Sequence, residues 1–147
     1  MSPTKNLVRL AEDYYKRGNL QGALKVVHDL MCEANTSENH QDISQILVAY
    51  EINWVNLRGF TLYKILRIKN PLCDPQLIQI MYEDIMAKLC PDGNKSIAAK
   101  SAFEIINYAW KILSNPVTRR DYNMRKGFTE VVREIHVSRK RMNYFKE

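Results

Sequence analysis

The stretch Leu89-Cys90-Pro91-Asp92-Gly93-Asn94-Lys95-Ser96 is a tight polar break between two long segments with apolar periodicity. Before it, in residues 76–89, Ile78, Tyr82, Ile85 and Leu89 fall at helical spacing and form one apolar stripe. After it, residues 97–113 do the same through Phe103, Ile106, Ala109, Trp110 and Leu113. Pro91 and Gly93 stand where a chain leaving one helix must reverse before entering the next. A loop this short forces antiparallel packing, so the two stripes face each other. The stretch predicts a helical hairpin with the polar break at its tip.

Working back from the hairpin, Asp74-Pro75 opens its first helix with an N-cap and a proline at the first helical position. Leu62, Tyr63, Ile65 and Leu66 predict a short helix of barely two turns that Asn70-Pro71 ends, preceded by Arg58-Gly59 as a flexible join. Three further helices are expected in the first 58 residues. Ser2-Pro3 starts one, with Leu7, Leu10, Ala11, Tyr14 and Tyr15 on its inner face, and Arg17-Gly18-Asn19 stops it. The next runs over residues 20–32 with Ala23, Leu24, Val27, Leu30 and Met31 inward, and fades into a loop at 34–39. Asp42 with Gln45 three residues on is a capping-box pattern for a third, whose inner residues are Ile43, Ile46, Leu47, Tyr50 and Trp54. Residues 14–24 resemble half of a tetratricopeptide repeat, but the chain has no second copy, and a lone hairpin cannot bury its own face. The pair is expected to pack on the third helix and on the helices C-terminal to it.

Working forward, Asn115-Pro116 opens a helix carrying Arg119, Arg120 and Tyr122. Beyond Gly127, Phe128, Val131, Val132 and Ile135 share one side of a further segment, ahead of the basic run Arg139-Lys140-Arg141. The fold class expected is all-α. A three-helix segment over 1–58 precedes a four-helix unit over 60–124 with the antiparallel hairpin at its centre, and a basic C-terminal helix or tail covers 125–147.

A chain of 147 residues with 46% apolar content, five glycines and five prolines is an ordinary globular protein of one domain or two small ones. Cys32, Cys73 and Cys90 are odd in number and far apart, which points away from a disulfide framework or a zinc site and toward a reducing compartment. No apolar stretch approaches the roughly 20 residues of a membrane span, and the charged N-terminus has no signal-peptide core. The net charge of +6 is uneven: six basic residues meet seven acids in 1–60, seven meet five in 61–116, and nine meet four in 117–147.

The residues 62–66, Asp74 through Leu89, Pro91-Asp92, Asn94-Lys95-Ser96, Ala102-Phe103, Ile106, Ala109-Trp110, Leu113-Ser114, Arg119-Arg120 and Tyr122 together resemble, in order and spacing, a J-domain of the DnaJ type over residues 60–124. The three preceding helices resemble the segment found before the J-domain in a group of plant proteins. The resemblance implies an interaction with a DnaK-type heat-shock chaperone. In that family a His-Pro-Asp tip and the basic outer face of the second helix contact the chaperone and stimulate its ATPase. This chain departs from the pattern at both elements. Cys90 stands where the histidine is expected, ahead of Pro91 and Asp92, and a thiol offers neither an imidazole ring nor its two nitrogens. Gln79, Ile80, Glu83 and Asp84 fill positions that are usually Lys or Arg, so the charge is inverted rather than merely removed.

No phosphate-binding glycine loop, nucleophile elbow or metal-ligand spacing appears, and His28, His40 and His136 lie in separate segments. No enzyme activity, cofactor, metal or small-molecule substrate is expected. Cys90 as a reactive thiol is disfavoured, since Asp92 and the carbonyl end of the preceding helix both oppose the thiolate. Phe103, Tyr108 and Trp110 are expected in the core, whereas Ile80 shares an outward face with Gln76, Glu83 and Ala87. Arg125-Lys126, then twelve residues, then Arg139-Lys140-Arg141 resembles a bipartite nuclear import signal and also suits an acidic partner.

The first expectation is a non-catalytic module that binds other proteins and has lost chaperone activation, in the cytoplasm, the nucleus or both. The alternatives are a working co-chaperone and a protein that binds nucleic acid through its basic tail.

Overall fold

Left-handed backbone positions mark the ends of several helices. Gly18 has φ +82°, Gly59 +75°, and Arg67 and Cys90, unusually for residues with a Cβ, +60° and +48°. Between these stops the computed structural model, which describes residues 3–33 and 40–128, consists of α1 (Pro3–Lys16), α2 (Leu20–Glu33), α3 (His40–Leu57), α4 (Leu62–Ile65), α5 (Pro75–Leu89), α6 (Ala99–Leu113) and α7 (Pro116–Lys126). The architecture is all-α, as expected, with no strand among the described residues. The expectations for Ser2, the 34–39 loop, Val131, Val132, Ile135, His136, Arg139, Lys140 and Arg141 fall outside the described residues.

The caps correct several boundaries. Gly59 is no flexible join: its N–H bonds to Asn56 O at 3.1 Å and that of Phe60 to Val55 O at 3.3 Å, a paired closure of the last turn of α3. The same closure ends α4 early, well before Asn70-Pro71, with Arg67 N donating to Lys64 O (2.9 Å) and Ile68 N to Tyr63 O (2.8 Å). Because α3 begins at His40, Asp42 lies within its first turn rather than outside it as a cap. Asp74 precedes α5 in extended conformation but makes no side-chain cap bond, while Asn115 caps α7 as expected, accepting from Val117 N at 2.9 Å.

The core is organised around α3. Ile43, Ile46, Val48, Ala49, Tyr50 and Ile52 are all buried, and they lie around the helix rather than on one stripe. α3 packs against α2, α4, α5 and α6, and one continuous apolar cluster runs from Ala11 to Tyr122. Fully burying an Ile or Leu contributes about 1.5–3 kcal/mol, and Ile78, Ile85 and Leu89 of α5 are all 0% exposed. A surface pair such as Arg67 with Glu51 at 3.3 Å contributes about 0–1 kcal/mol. The burial term therefore holds the hairpin.

Position around α3 also moves several side chains from where periodicity put them. Leu7 and Leu10 are exposed, because α1 docks through Val8, Ala11 and Tyr15 instead. On α6 the buried stripe is Ala99, Ala102, Ile106, Ala109 and Leu113. It is turned by one residue from Phe103, which is exposed, and Tyr108 is more so. α6 lies against both α3 and α5, and the three alanines allow that approach. Ile97 precedes α6 and is exposed. Tyr82 and Trp110, both half-buried, stack at 4.4 Å along the hairpin edge, and Tyr82 Oη donates to Asn107 Oδ1 at 2.8 Å.

α7 is tied across α4 by polar groups. Arg119 donates through Nε to Tyr63 Oη (2.9 Å) and through Nη2 to the carbonyls of Pro71 (3.0 Å) and Cys73 (2.7 Å). Tyr63 Oη in turn donates to Asn123 Oδ1 at 2.6 Å, and Leu62 N donates to Tyr122 Oη at 2.9 Å. These bonds fix the loop that leads into α5.

The hairpin tip and the outer face of α5 as candidate functional site

The tip begins with the left-handed Cys90. Its N–H bonds to Met86 O at 2.9 Å, closing α5, and its carbonyl accepts from Gly93 N (3.0 Å) and Asn94 N (2.7 Å). The chain thereby reverses within four residues. Cys90 and Pro91 are half-buried, and Asp92 points into solvent. The Cys90 thiol is free, and a Cβ added at Gly93 would sit 3.2 Å from its Sγ. Among the described residues no group of His, Cys, Asp and Glu could hold a metal.

The far flank of the tip is held by the N-terminal helices. Asn94 Nδ2 donates to Gln45 O of α3 at 2.8 Å and to Leu89 O at 2.7 Å, while its Oδ1 accepts from Ser96 N at 3.0 Å. Lys95 reaches Asp42 at 3.8 Å. One carboxylate, Glu12 of α1, accepts from Ser96 Oγ (2.9 Å), Ile97 N (2.9 Å) and Tyr50 Oη (2.5 Å). Burial, and then the bond to Glu12 and its charge, push the Tyr50 phenol well above its ordinary range. Asn53 continues the seam, donating to Ala98 O at 3.2 Å and accepting from Ser101 Oγ at 2.7 Å.

Sequence reasoning did not single out Glu12, Asn53 or Asn94 as tip contacts. A signal existed for Glu12, an acid set beside Ala11 on the side of α1 that docks. None existed for the bonds from Asn94 to Gln45 O and Leu89 O, because any residue would supply those carbonyls.

The outer face of α5 carries the other predicted positions. Gln79, Ile80, Glu83 and Asp84 are all exposed, with Gln76 and Ala87 beside them. Lys88 pairs with Asp84 at 3.1 Å one turn away, and Gln79 Nε2 donates to Glu83 Oε2 at 3.4 Å. No arginine lies on α5, and its one lysine is engaged by a carboxylate of the same face. The tip follows α5 directly, with Cys90 nearly two helical turns beyond Glu83 and Asp84.

Of the basic positions, Arg125 and Lys126 are exposed in the last turn of α7, where cations complement the carbonyl end of the helix. Lys126 Nζ lies 5.8 Å from the ring centre of Tyr122.

Residues 61–123 match the family model described as the DnaJ domain, a range that takes in α4, α5, α6 and most of α7. No curated protein and no solved structure matches the chain.

Proposed function

With residues 61–123 forming a DnaJ domain, a module of co-chaperone type that engages protein partners, we propose that this chain binds other proteins but no longer stimulates the ATPase of a DnaK-type chaperone. J-domain proteins act as regulators rather than as enzymes, and the reading needs no cofactor. The observation that carries it is the outer face of α5, where Glu83 and Asp84 are exposed at positions the family fills with Lys or Arg. An acidic chaperone surface brought against them meets like charge, a penalty of roughly several kcal/mol rather than a lost attraction. Cys90 supports the same reading, since its thiol cannot reproduce the hydrogen bonds of an imidazole. The three free thiols suit a reducing compartment, cytoplasmic or nuclear.

Single-turnover ATP hydrolysis by a DnaK-type chaperone, with and without this protein, tests the proposal. The expected result is no stimulation. Stimulation by the wild type would instead establish a working co-chaperone that relies on Pro91, Asp92 and the intact shape of the tip. The triple variant Cys90→His, Glu83→Arg, Asp84→Lys is expected to recover measurable stimulation, and histidine is among the residues that tolerate the left-handed conformation at position 90.

A further inference from the structure

We infer that the outer face of α5 is a docking surface for a basic amphipathic helix of another protein. The inference rests on the proposed function, in which this face has ceased to serve a DnaK-type chaperone. Ile80 is 58% exposed, which is high for an isoleucine at the centre of a 15-residue helix. Its neighbours on the surface are Gln76 and Leu77 one turn behind and Glu83 and Asp84 one turn ahead. Leu77 is also exposed. An apolar pair is therefore bordered by two carboxylates on its C-terminal side.

Charge decides the occupant. Between residues 74 and 92 the chain has four acids, Asp74, Glu83, Asp84 and Asp92, against Lys88 alone, within a protein whose net charge is +6. Nine of the 22 basic residues lie in 117–147 against four acids, so a cationic partner is repelled by that end of the chain and attracted here. The contacts that occupy these carboxylates, Lys88 with Asp84 and Gln79 with Glu83, are exposed pairs of the weak kind. A partner's Lys or Arg can take their place without leaving a buried group unpaired.

Shape favours a helix. Leu77, Ile80 and Glu83 lie on one i, i+3 ridge of α5, the kind of row by which a helix surface fits the groove of another. The matching helix presents an apolar side chain over Leu77 and Ile80 and a cation one turn further along.

The test uses the full chain and a fluorescein-labelled 18-residue Leu/Lys amphipathic helical peptide, with a Leu/Glu peptide as control. Anisotropy is expected to show binding of the first peptide only, and amide shifts in NMR are expected to concentrate on residues 76–88. Glu83→Lys with Asp84→Lys should weaken binding on the order of tenfold or more, and Ile80→Ser should weaken it about fivefold. All three positions are exposed, and unchanged circular dichroism melting confirms that the variants remain folded. Equal binding by the charge variant, shifts centred on another element, or self-association of the chain with no peptide binding would each overturn the inference. Chaperone stimulation is read in a separate assay, so failure of the functional reading and failure of this docking surface are told apart.

Discussion

Ser96 Oγ donates to Glu12 Oε2 over 2.9 Å, joining the loop behind the hairpin tip to a helix 84 residues earlier in the chain. The same carboxylate accepts from Ile97 N and from Tyr50 Oη, so α1, α3 and the tip loop converge on one side chain. The N-terminal helices therefore shape the tip directly, through side chains as well as through the core.

Glu12→Ala leaves three donors without their acceptor in a partly buried setting. Hydrogen bonds to a charged group contribute about 1.5–3 kcal/mol each and are not additive, so a total loss of about 2–3 kcal/mol is expected. Thermal unfolding should show this as a fall in Tm of roughly 5–10 °C. Glu12→Gln keeps a carbonyl acceptor and should lose less. A Tm within 1 °C of wild type for Glu12→Ala would show that the three bonds contribute nothing in solution.

Tyr50 makes stability depend on alkaline pH. Its phenol is held above the ordinary value of 10.0, first by burial and then by Glu12. The unfolded chain releases this proton near pH 10, and the folded chain retains it. The contribution is thus fully present below pH 10 and is lost as pH rises beyond it, by up to about 1.4 kcal/mol per pH unit. Urea midpoints between pH 8.5 and 11 should fall more steeply for the wild type than for Tyr50→Phe. Parallel slopes would remove Tyr50 from the account.

Cys90 holds a left-handed conformation that costs a residue with a Cβ about 1–2 kcal/mol. Cys90→Gly relieves that cost but loses more entropy on folding, leaving an expected net gain of about 0.5–1 kcal/mol, or roughly 2–3 °C in Tm. Cys90→Val should lower Tm instead, since a β-branched side chain is poorly tolerated at positive φ. The opposite order of the two variants would show that packing of the thiol outweighs the backbone term.

The hairpin was legible because its determinants are local. Ile78, Ile85 and Leu89 recur at helical spacing, Pro91 and Gly93 interrupt, and Ile106, Ala109 and Leu113 resume, all within 36 residues. The outward placement of Ile80 and Glu83 came from the same periodicity, because fixing the buried stripe fixes the opposite face, whereas Gln79 and Asp84 were singled out through the family resemblance.

Periodicity alone misplaced Leu7, Leu10, Phe103 and Tyr108. An amphipathic pattern says that a helix has an inner face; which of two adjacent apolar rows docks depends on the neighbour. On α6 the neighbours are α3 on one side and α5 on the other, and the smaller row, Ala99, Ala102 and Ala109, is the one that allows both to approach.

What the sequence determined by itself is the set of helices, their breaks at Gly18 and Pro91, and the acidic pair Glu83 and Asp84 on the outer face of α5, since each is encoded within a few turns of chain. What only the tertiary structure decided is that α3 is the centre of the core and that Glu12 and Asn94 hold the tip. Those contacts join residues up to 85 positions apart, and a carboxylate or an amide acquires its partners only when packing brings distant backbone donors and acceptors within hydrogen-bonding distance.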